Sequence, residues 1–218
     1  MKKIGTEELR NLILSGITSE ELNSKYDYSH IEDMSYLFKE CEELTSLPKL
    51  LTKNVKNFKG MFFKCVNLSF IEGIDTYSAE NIEHMFFGCF SLKSVPAMDL
   101  KNVSTAKSTF CNCTSLKQIP PLKLDNLKCA QYMFFCCHSI TEIELLNTGN
   151  VENFFGTFLG CTNLKKVNNI NTSSAKNTSN AFHRCAKLKD FNPYDWLDTS
   201  WSIFKNEWVE KHYPEFYL

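Results

Sequence analysis

Apolar residues recur along this chain at a fixed spacing of 24 residues. A column of cysteines marks the register: Cys41, Cys65, Cys89, Cys113, Cys137, Cys161 and Cys185. Three residues before each cysteine stands a phenylalanine, and large apolar residues stand three and six residues after it. The phenylalanines are Phe38, Phe62, Phe86, Phe110, Phe134, Phe158 and Phe182. This register predicts seven stacked repeats of 24 residues, each covering the apolar face of its neighbour.

The part of each repeat before the cysteine has a helical spacing. Apolar or small residues lie ten, seven and three positions upstream of the cysteine, which predicts a short helix or 3₁₀ turn. The position eight residues upstream is polar, and such residues cap a turn by accepting an amide hydrogen bond. They are Asp33, Asn57, Asn81, Thr105, Asn153 and Asn177. An exposed asparagine ladder that binds a ligand is the alternative interpretation.

The part after the cysteine predicts a short strand. Residues 44–48 and 116–120 each end in proline, and they are long enough for one rung of a parallel ladder. A further inward column is expected at Leu50, Ile74, Met98, Leu122, Leu146 and Ile170. Residues 30–191 are therefore predicted to form an α/β solenoid in which each repeat is a turn, a strand and a return loop.

The two ends of the chain depart from the repeat and are predicted to be caps, because an uncovered terminal repeat would expose its core. Residues 1–29 contain two candidate helices, one capped by Thr6 and the other by Thr18 or Ser19. Residues 192–218 contain the tryptophans Trp196, Trp201 and Trp208. We expect this segment to be a lid over the last repeat. A partner site that uses Trp201 and Trp208 is the alternative, since tryptophan is enriched at binding hot spots.

Charge and hydropathy exclude two classes of partner. The formal net charge is −1, so the chain has no basic excess with which to neutralise nucleic-acid phosphates. No stretch approaches the roughly 20 apolar residues of a membrane span. Glu7, Glu8 and Arg10 interrupt the region that would be apolar in a signal peptide. We therefore expect a cytoplasmic protein, or a surface or secreted one if a leader was removed.

Residues that could carry chemistry form no recognisable motif. The pair His183 and Cys185 lacks the second ligand pair that a zinc site needs. The glycines of the repeat fall at tight turns: Gly60, Gly88, Gly156 and Gly160. The periodic cysteines are expected to be reduced and buried, as small hydrophobic residues, rather than joined in a disulfide ladder. We expect no catalytic residue, no cofactor, no metal and no small-molecule ligand, and the chain is expected not to be an enzyme.

The outward positions of the predicted strands carry a stripe of lysines. Because side chains alternate across a strand, residues flanking the inward column point to solvent. The stripe and its one aromatic member are Phe70, Lys93, Lys117, Lys165, Lys166 and Lys189. Lysine also protects a strand edge from unwanted pairing, so a solvated face is the alternative. The binding interpretation predicts another protein with an acidic surface as the partner.

These repeats are similar to those of a known family. The segment from Asp33 to Cys41, followed by Leu44 and Leu47, resembles the BspA-type leucine-rich repeat of bacterial surface proteins, as do residues 57–68 and 81–92. The resemblance covers about residues 30–191 and implies a right-handed leucine-rich-repeat solenoid. We expect a non-enzymatic protein–protein interaction scaffold, most simply a cytosolic binder or inhibitor such as an immunity protein. A secreted or surface-exposed adhesin is the alternative that the family suggests.

Overall fold

The computed structural model describes residues 1–168 and 170–188, and the backbone alone at position 146. Two helices open the chain, α1 (Thr6–Leu14) and α2 (Ser19–Lys25). They lie between two short strands, β1 (Lys2–Lys3) and β2 (Tyr26–Asp27), which pair in parallel. We call residues 1–27 the N-terminal segment. The predicted division at residues 29 and 191 stays a prediction, and the Trp-rich segment 192–218 lies outside the described residues.

The starts of the two helices differ from each other in their capping. Thr18 caps α2 as predicted, because its side-chain oxygen accepts the N–H of Glu21 at 3.2 Å. The prediction for Thr6 was wrong. Thr6 is the first residue inside α1, and the N-cap is Gly5, which has no side chain to accept an amide.

The later strands are short, parallel and on one side of the molecule, which we call the strand side. They are β3 (Ser46–Leu47), β4 (Phe70–Ile71), β5 (Leu122–Lys123), β6 (Glu142–Leu146) and β7 (Lys166–Asn168). Strand β3 pairs with β4, and β5, β6 and β7 form a three-stranded sheet in that order. Most pairs keep the 24-residue register, as Ser46 opposite Phe70 and Glu142 opposite Lys166 do. We call each 24-residue stretch a coil.

The opposite side, which we call the turn side, is held by a second parallel ladder. Its bridged residues are Asp33, Asn57, Asn81, Thr105, Cys129, Asn153 and Asn177. The side chains of Asp33 and Asn57 accept the N–H two residues further on, at 2.7 and 3.1 Å. The Asp and Asn members therefore cap a turn, as predicted, by forming an Asx turn, whereas the hydroxyl of Thr105 donates to Glu83.

The turn itself is not the helix or 3₁₀ turn that the spacing predicts. In the first coil Tyr36 and Glu40 both have a φ of 55°, which is the left-handed region. The N–H groups of Met34 and Phe38 consequently point along the stack and donate to Asn57 and Met61 of the next coil, at 2.9 and 2.8 Å. The N–H groups that alternate with these, such as that of Lys39, bond within the turn. The turn therefore depends on the next coil for every second bond, and an amphipathic helix was the wrong interpretation of the period.

A left-handed residue directs its side chain along the stack, and the sequence of the turn side respects this. Tyr36 lies over Gly60, where an added Cβ would be 2.3 Å from the ring, and Tyr132 lies over Gly156 at 2.6 Å. Large and small residues alternate along this column, which we call the alternating column. Its members are Tyr36, Gly60, His84, Ser108, Tyr132, Gly156 and Asn180.

The core between the two sides is a stack of like residues. The rings of Phe38 and Phe62 are 5.6 Å apart and nearly parallel, and the same stacking continues to Phe182. The periodic cysteines are thiols, and Cys113 Sγ donates to the carbonyl oxygen of Phe86 at 3.1 Å. One inward column was missed in the sequence. It lies four residues before each cysteine: Met61, Met85, Thr109, Met133, Thr157 and Ala181.

The register slips by one residue on the strand side. Leu122 pairs with Leu145, not with the expected Leu146, and Leu145 is buried. Asn147 then adopts a left-handed φ of 61° and is followed by a 3₁₀ turn, Thr148–Asn150, after which the 24-residue register resumes. The predicted inward column placed Leu146 in register with Leu122. Because Leu122 pairs with Leu145 instead, that prediction was wrong by one residue.

Candidate interaction surface

The predicted lysine stripe lies on the strand side with its side chains in solvent. Lys93, Lys117, Lys165 and Lys166 are all exposed. Lys93 and Lys117 occupy neighbouring coils, since the N–H of Lys117 donates to the carbonyl oxygen of Lys93 at 3.0 Å. Lys166 is 3.8 Å from Glu142. Within residues 1–168 and 170–188 no carboxylate lies within ion-pair distance of the other three lysines.

Phe70 is the aromatic member of this surface. It lies on β4, and 56% of its surface is exposed. The residues at the same position in the neighbouring coils, Ser46 and Ser94, are polar. Of the remaining predicted site residues, Lys189, Trp201 and Trp208 lie outside the described part of the chain. The structure therefore places Phe70 and four of the lysines on one side, with Phe70 nearest the N-terminal segment.

Sequence reasoning missed a groove beside Phe70. It has a volume of about 610 Å³ and lies between the α1–α2 connection and strands β3 and β4. Its apolar lining includes Ile13, Leu14, Ile17, Leu44, Leu47, Pro48 and Phe70. The lining residues of the N-terminal segment and of β4 are some fifty positions apart in the chain, so the 24-residue pattern gave no sign of this groove.

The charged residues that line the groove are acidic: Glu20, Glu43 and Glu72. Ser19 Oγ and the N–H of Lys49 both donate to Glu72, and these bonds lower the pKa of its carboxyl. The pKa of Glu43 is also lowered, by a hydrogen bond from its own backbone N–H and then by one from Cys41. The strand side therefore has an acidic, apolar region at β3 and β4 and basic residues further along the stack.

A second, larger groove follows the return loops. Its volume is about 1290 Å³, and it has the apolar residues Leu51, Ile74 and Met98 along its length. Lysines and aspartates alternate around it, so it has no single sign of charge. At its rim Tyr77 lies 3.6 Å from Lys101 Nζ and 5.7 Å from Lys53 Nζ, in cation–π contacts.

The turn side has its own small apolar cluster, which sequence reasoning also missed. Its members include Phe87, Cys111, Phe135 and Leu159, which lie two residues before the periodic cysteines and are buried against one another. His84 makes edge contacts with Phe63 and Phe87, and burial lowers its pKa. The doubled phenylalanines at 62–63, 86–87 and 134–135 were the available signal.

The thiols of the periodic column are unsuited to nucleophilic chemistry. Burial raises the pKa of Cys65 and Cys185 to about 12, and it raises the pKa of Cys113 well above its ordinary range. In the part of the chain that the structure describes, no three His, Cys, Asp or Glu side chains are placed to hold a metal ion. No helix in that part is long and apolar enough to cross a membrane. That the chain is not an enzyme stays a prediction.

The short parallel strands, stacked phenylalanines and regular coils define a leucine-rich repeat protein. A family model described as "BspA type Leucine rich repeat region (6 copies)" matches residues 81–207, and one described as "Mycoplasma protein of unknown function, DUF285" matches residues 9–123. The chain belongs to the BspA-type leucine-rich repeat family, and over its N-terminal half to this Mycoplasma family. Leucine-rich repeat families typically bind other proteins and are typically non-enzymatic.

One solved structure, with a TM-score above 0.5, agrees on the fold. A leucine-rich repeat protein of T. pallidum is 24% identical with a TM-score of 0.54, and the match covers 72% of this chain and 70% of that one. A leucine-rich repeat protein from Bacteroides ovatus ATCC 8483 is 26% identical with a TM-score of 0.45, over 72% of this chain and 45% of that one. No curated protein matches the chain.

Proposed function

We propose that this protein is a non-enzymatic scaffold that binds another protein through its strand side. The scaffold is a right-handed solenoid of seven 24-residue repeats, and it acts in the cytoplasm as a stoichiometric binder or inhibitor, for example as an immunity protein. The partner surface is acidic and contacts Lys93, Lys117, Lys165 and Lys166, with Lys189 continuing the stripe.

The observation that carries this proposal is the unneutralised charge of Lys93, Lys117 and Lys165. Lys93 and Lys117 lie in neighbouring coils, about 4.8 Å apart along the stack. Like charges at that spacing repel each other, and within the described residues no carboxylate offsets them. An acidic partner would remove this repulsion on binding, and it would also accelerate association at low salt.

Affinity capture with matched charge-reversal variants tests the proposal. The stripe variant is Lys93→Glu, Lys117→Glu and Lys165→Glu. The control makes the same change in charge at exposed lysines of the turn side, as Lys39→Glu, Lys64→Glu and Lys128→Glu. We expect wild type and control to retain one stoichiometric acidic partner from the native lysate, and the stripe variant to lose it. A partner that the stripe variant retains at equal yield would contradict the proposal.

A secreted or surface role as a host-binding adhesin is the second candidate, because BspA-type repeats are often found in surface proteins. Capture from host-cell surface extracts with the same three proteins distinguishes the two. A host protein retained by wild type, together with an empty capture from the lysate, would favour the adhesin.

A further inference from the structure

The groove beside Phe70 contains an open edge of the strand-side ladder. The carbonyl oxygens of Thr45 and Leu47 point toward β4, where they accept the N–H groups of Ser69 and Glu72, both at 2.9 Å. Backbone groups alternate in direction along a strand, so the N–H and C=O of Ser46 point the other way, toward the N-terminal segment. Strand β3 pairs with β4 on its other side, and among the described residues no bond outside that pair reaches the N–H or C=O of Ser46.

The N-terminal segment continues the stack beside the return loops but leaves the edge of β3 uncovered. Strands β1 and β2 pair with each other beside the return loops, whereas the α1–α2 connection stands away from β3 and leaves the groove between them. Pro48 follows β3 and has no N–H, where the next coil has Glu72, whose N–H completes the ladder. Proline ends the rung at the same place in the interior coils, at Pro96 and Pro120, so the open edge is marked by Ser46 and not by the proline.

We propose that this groove binds an extended, basic segment of a partner protein, which adds a strand to β3 beside Ser46. The main chain of that segment bonds the N–H and C=O of Ser46, and an apolar side chain packs on Phe70, in the manner of β-strand addition. Its lysine or arginine side chains face Glu20 and Glu43, which are exposed at the groove. The inference rests on the proposed role as a binding scaffold but not on the lysine stripe.

Charge complementarity decides the kind of occupant. The charged side chains that line the groove are carboxylates, and the lysine stripe begins further along the stack at Lys93. An acidic segment in the groove would meet like charge, so the groove and the stripe select oppositely charged parts of a partner. A solvated groove without a partner would leave Phe70 more than half exposed beside the open edge of β3, and natural proteins usually protect such edges.

Binding of three synthetic seven-residue peptides to the purified full chain tests this site by fluorescence anisotropy. The first alternates lysine with valine or phenylalanine, the second has glutamate in place of lysine, and the third is the lysine peptide with an N-methylated central residue. We expect the lysine peptide to bind at least about tenfold more tightly than the other two, since tenfold corresponds to one interaction of about 1.4 kcal/mol. Equal binding of the lysine and glutamate peptides, or no binding of either, would overturn the inference.

Two pairs of variants assign the binding to the groove. Phe70→Ser should weaken the lysine peptide at least tenfold, whereas Phe90→Ser, an exposed phenylalanine outside the groove, should not. Ser46→Pro removes the edge N–H and should weaken binding by a similar factor, whereas Ser46→Ala keeps it. The stripe variant should bind the lysine peptide as tightly as wild type does. Peptide binding therefore tests the groove independently, even if the proposed function of the lysine stripe fails. Unchanged binding by both Phe70→Ser and Ser46→Pro would overturn the inference.

Discussion

A cysteine of the core column meets two requirements with one side chain. Cys113 is fully buried, so its sulfur fills space as a small hydrophobic residue would. The same sulfur donates to Phe86 of the preceding coil, and the bond repeats from Cys65 to Cys185. Burial was predicted and is confirmed from Cys41 to Cys161, whereas Cys185 is half-buried. The spacing of cysteines contains no information about a donor direction.

Cys41, the first cysteine of the column, lacks the carbonyl acceptor that a preceding coil supplies to the others. No coil precedes Cys41, and its Sγ donates instead to Glu43 Oε2 at 3.3 Å, with an Arg10 guanidinium nitrogen 3.8 Å away. Glu43 thus supplies a charged substitute for the backbone carbonyl, and the N-terminal segment adds a donor to the sulfur, Arg10. The sequence pattern cannot show this, because Arg10 lies outside the repeat.

Cys129 is the member of the turn-side ladder whose side chain has no oxygen to accept the N–H two residues further on. Asn153 next to it accepts the N–H of Phe155 at 2.9 Å through its side chain. Replacing Cys129 with asparagine should add the same bond, to the N–H of Gln131, and raise the free energy of unfolding by about 0.5–1.5 kcal/mol. Urea denaturation measures the change. The matched variant Asn153→Ala should lower it by a similar amount, and destabilisation by Cys129→Asn would contradict the capping role.

At the scale of the element, the strand could be predicted and the turn could not. The spacing of apolar residues and proline located β3 correctly, because it depends only on which residues are apolar. In residues 116–120 only Gln118 is bridged, and strand β5 follows Pro120. The turn depends on left-handed residues, and here these include Tyr36, Glu40 and His84, which give no sequence sign of a positive φ. Gly60 and Gly156 were recognised as turn residues, but their partners Tyr36 and Tyr132 were not.

The contact of Tyr132 with Gly156 gives a prediction for the turn. Gly156→Ala should lower the free energy of unfolding by about 2–4 kcal/mol, because a Cβ at a φ of 58° is strained and would lie 2.6 Å from the ring. In the Tyr132→Ala background the same change should cost only about 1 kcal/mol, since the strain remains and the collision does not. Equal costs in the two backgrounds, measured by urea denaturation, would refute the packing account.

At the scale of the whole molecule, the repeat pattern located the strand side and its exposed lysines but not the groove. A stack with a fixed register can be predicted from one period, since every coil meets an equivalent coil. The groove exists where that equivalence ends, between β3 and residues of the N-terminal segment such as Ile17. Nothing in the spacing relates Ile17 to Phe70, so the most distinctive surface lay where the pattern had no information.

The whole stack should be most stable near pH 7.5. Burial raises the thiol pKa of Cys65 and Cys185 to about 12, so their contribution is full below the ordinary value of about 8.5 and is lost as pH rises above it. Burial lowers the pKa of His84, His138 and His183, so their contribution is present above about 6.5 and is lost as pH falls.

Urea denaturation at pH 5.5, 7.5 and 9.5 checks this profile. The free energy of unfolding should be highest at the middle pH and should fall on both sides. Cys65→Val should make the alkaline fall shallower, by up to about 1.4 kcal/mol per pH unit. A stability that does not change between pH 7.5 and 9.5 would show that the thiols are not buried as described.

The alternating column sets a rule for how such a chain can grow. Duplicating one coil would place two large side chains, such as two copies of Tyr132, where a ring now lies over Gly156. Duplicating two coils, or twice 24 residues, keeps every ring over a small residue. In this family member, gene duplication or protein engineering should therefore lengthen the binding face most readily in pairs of coils.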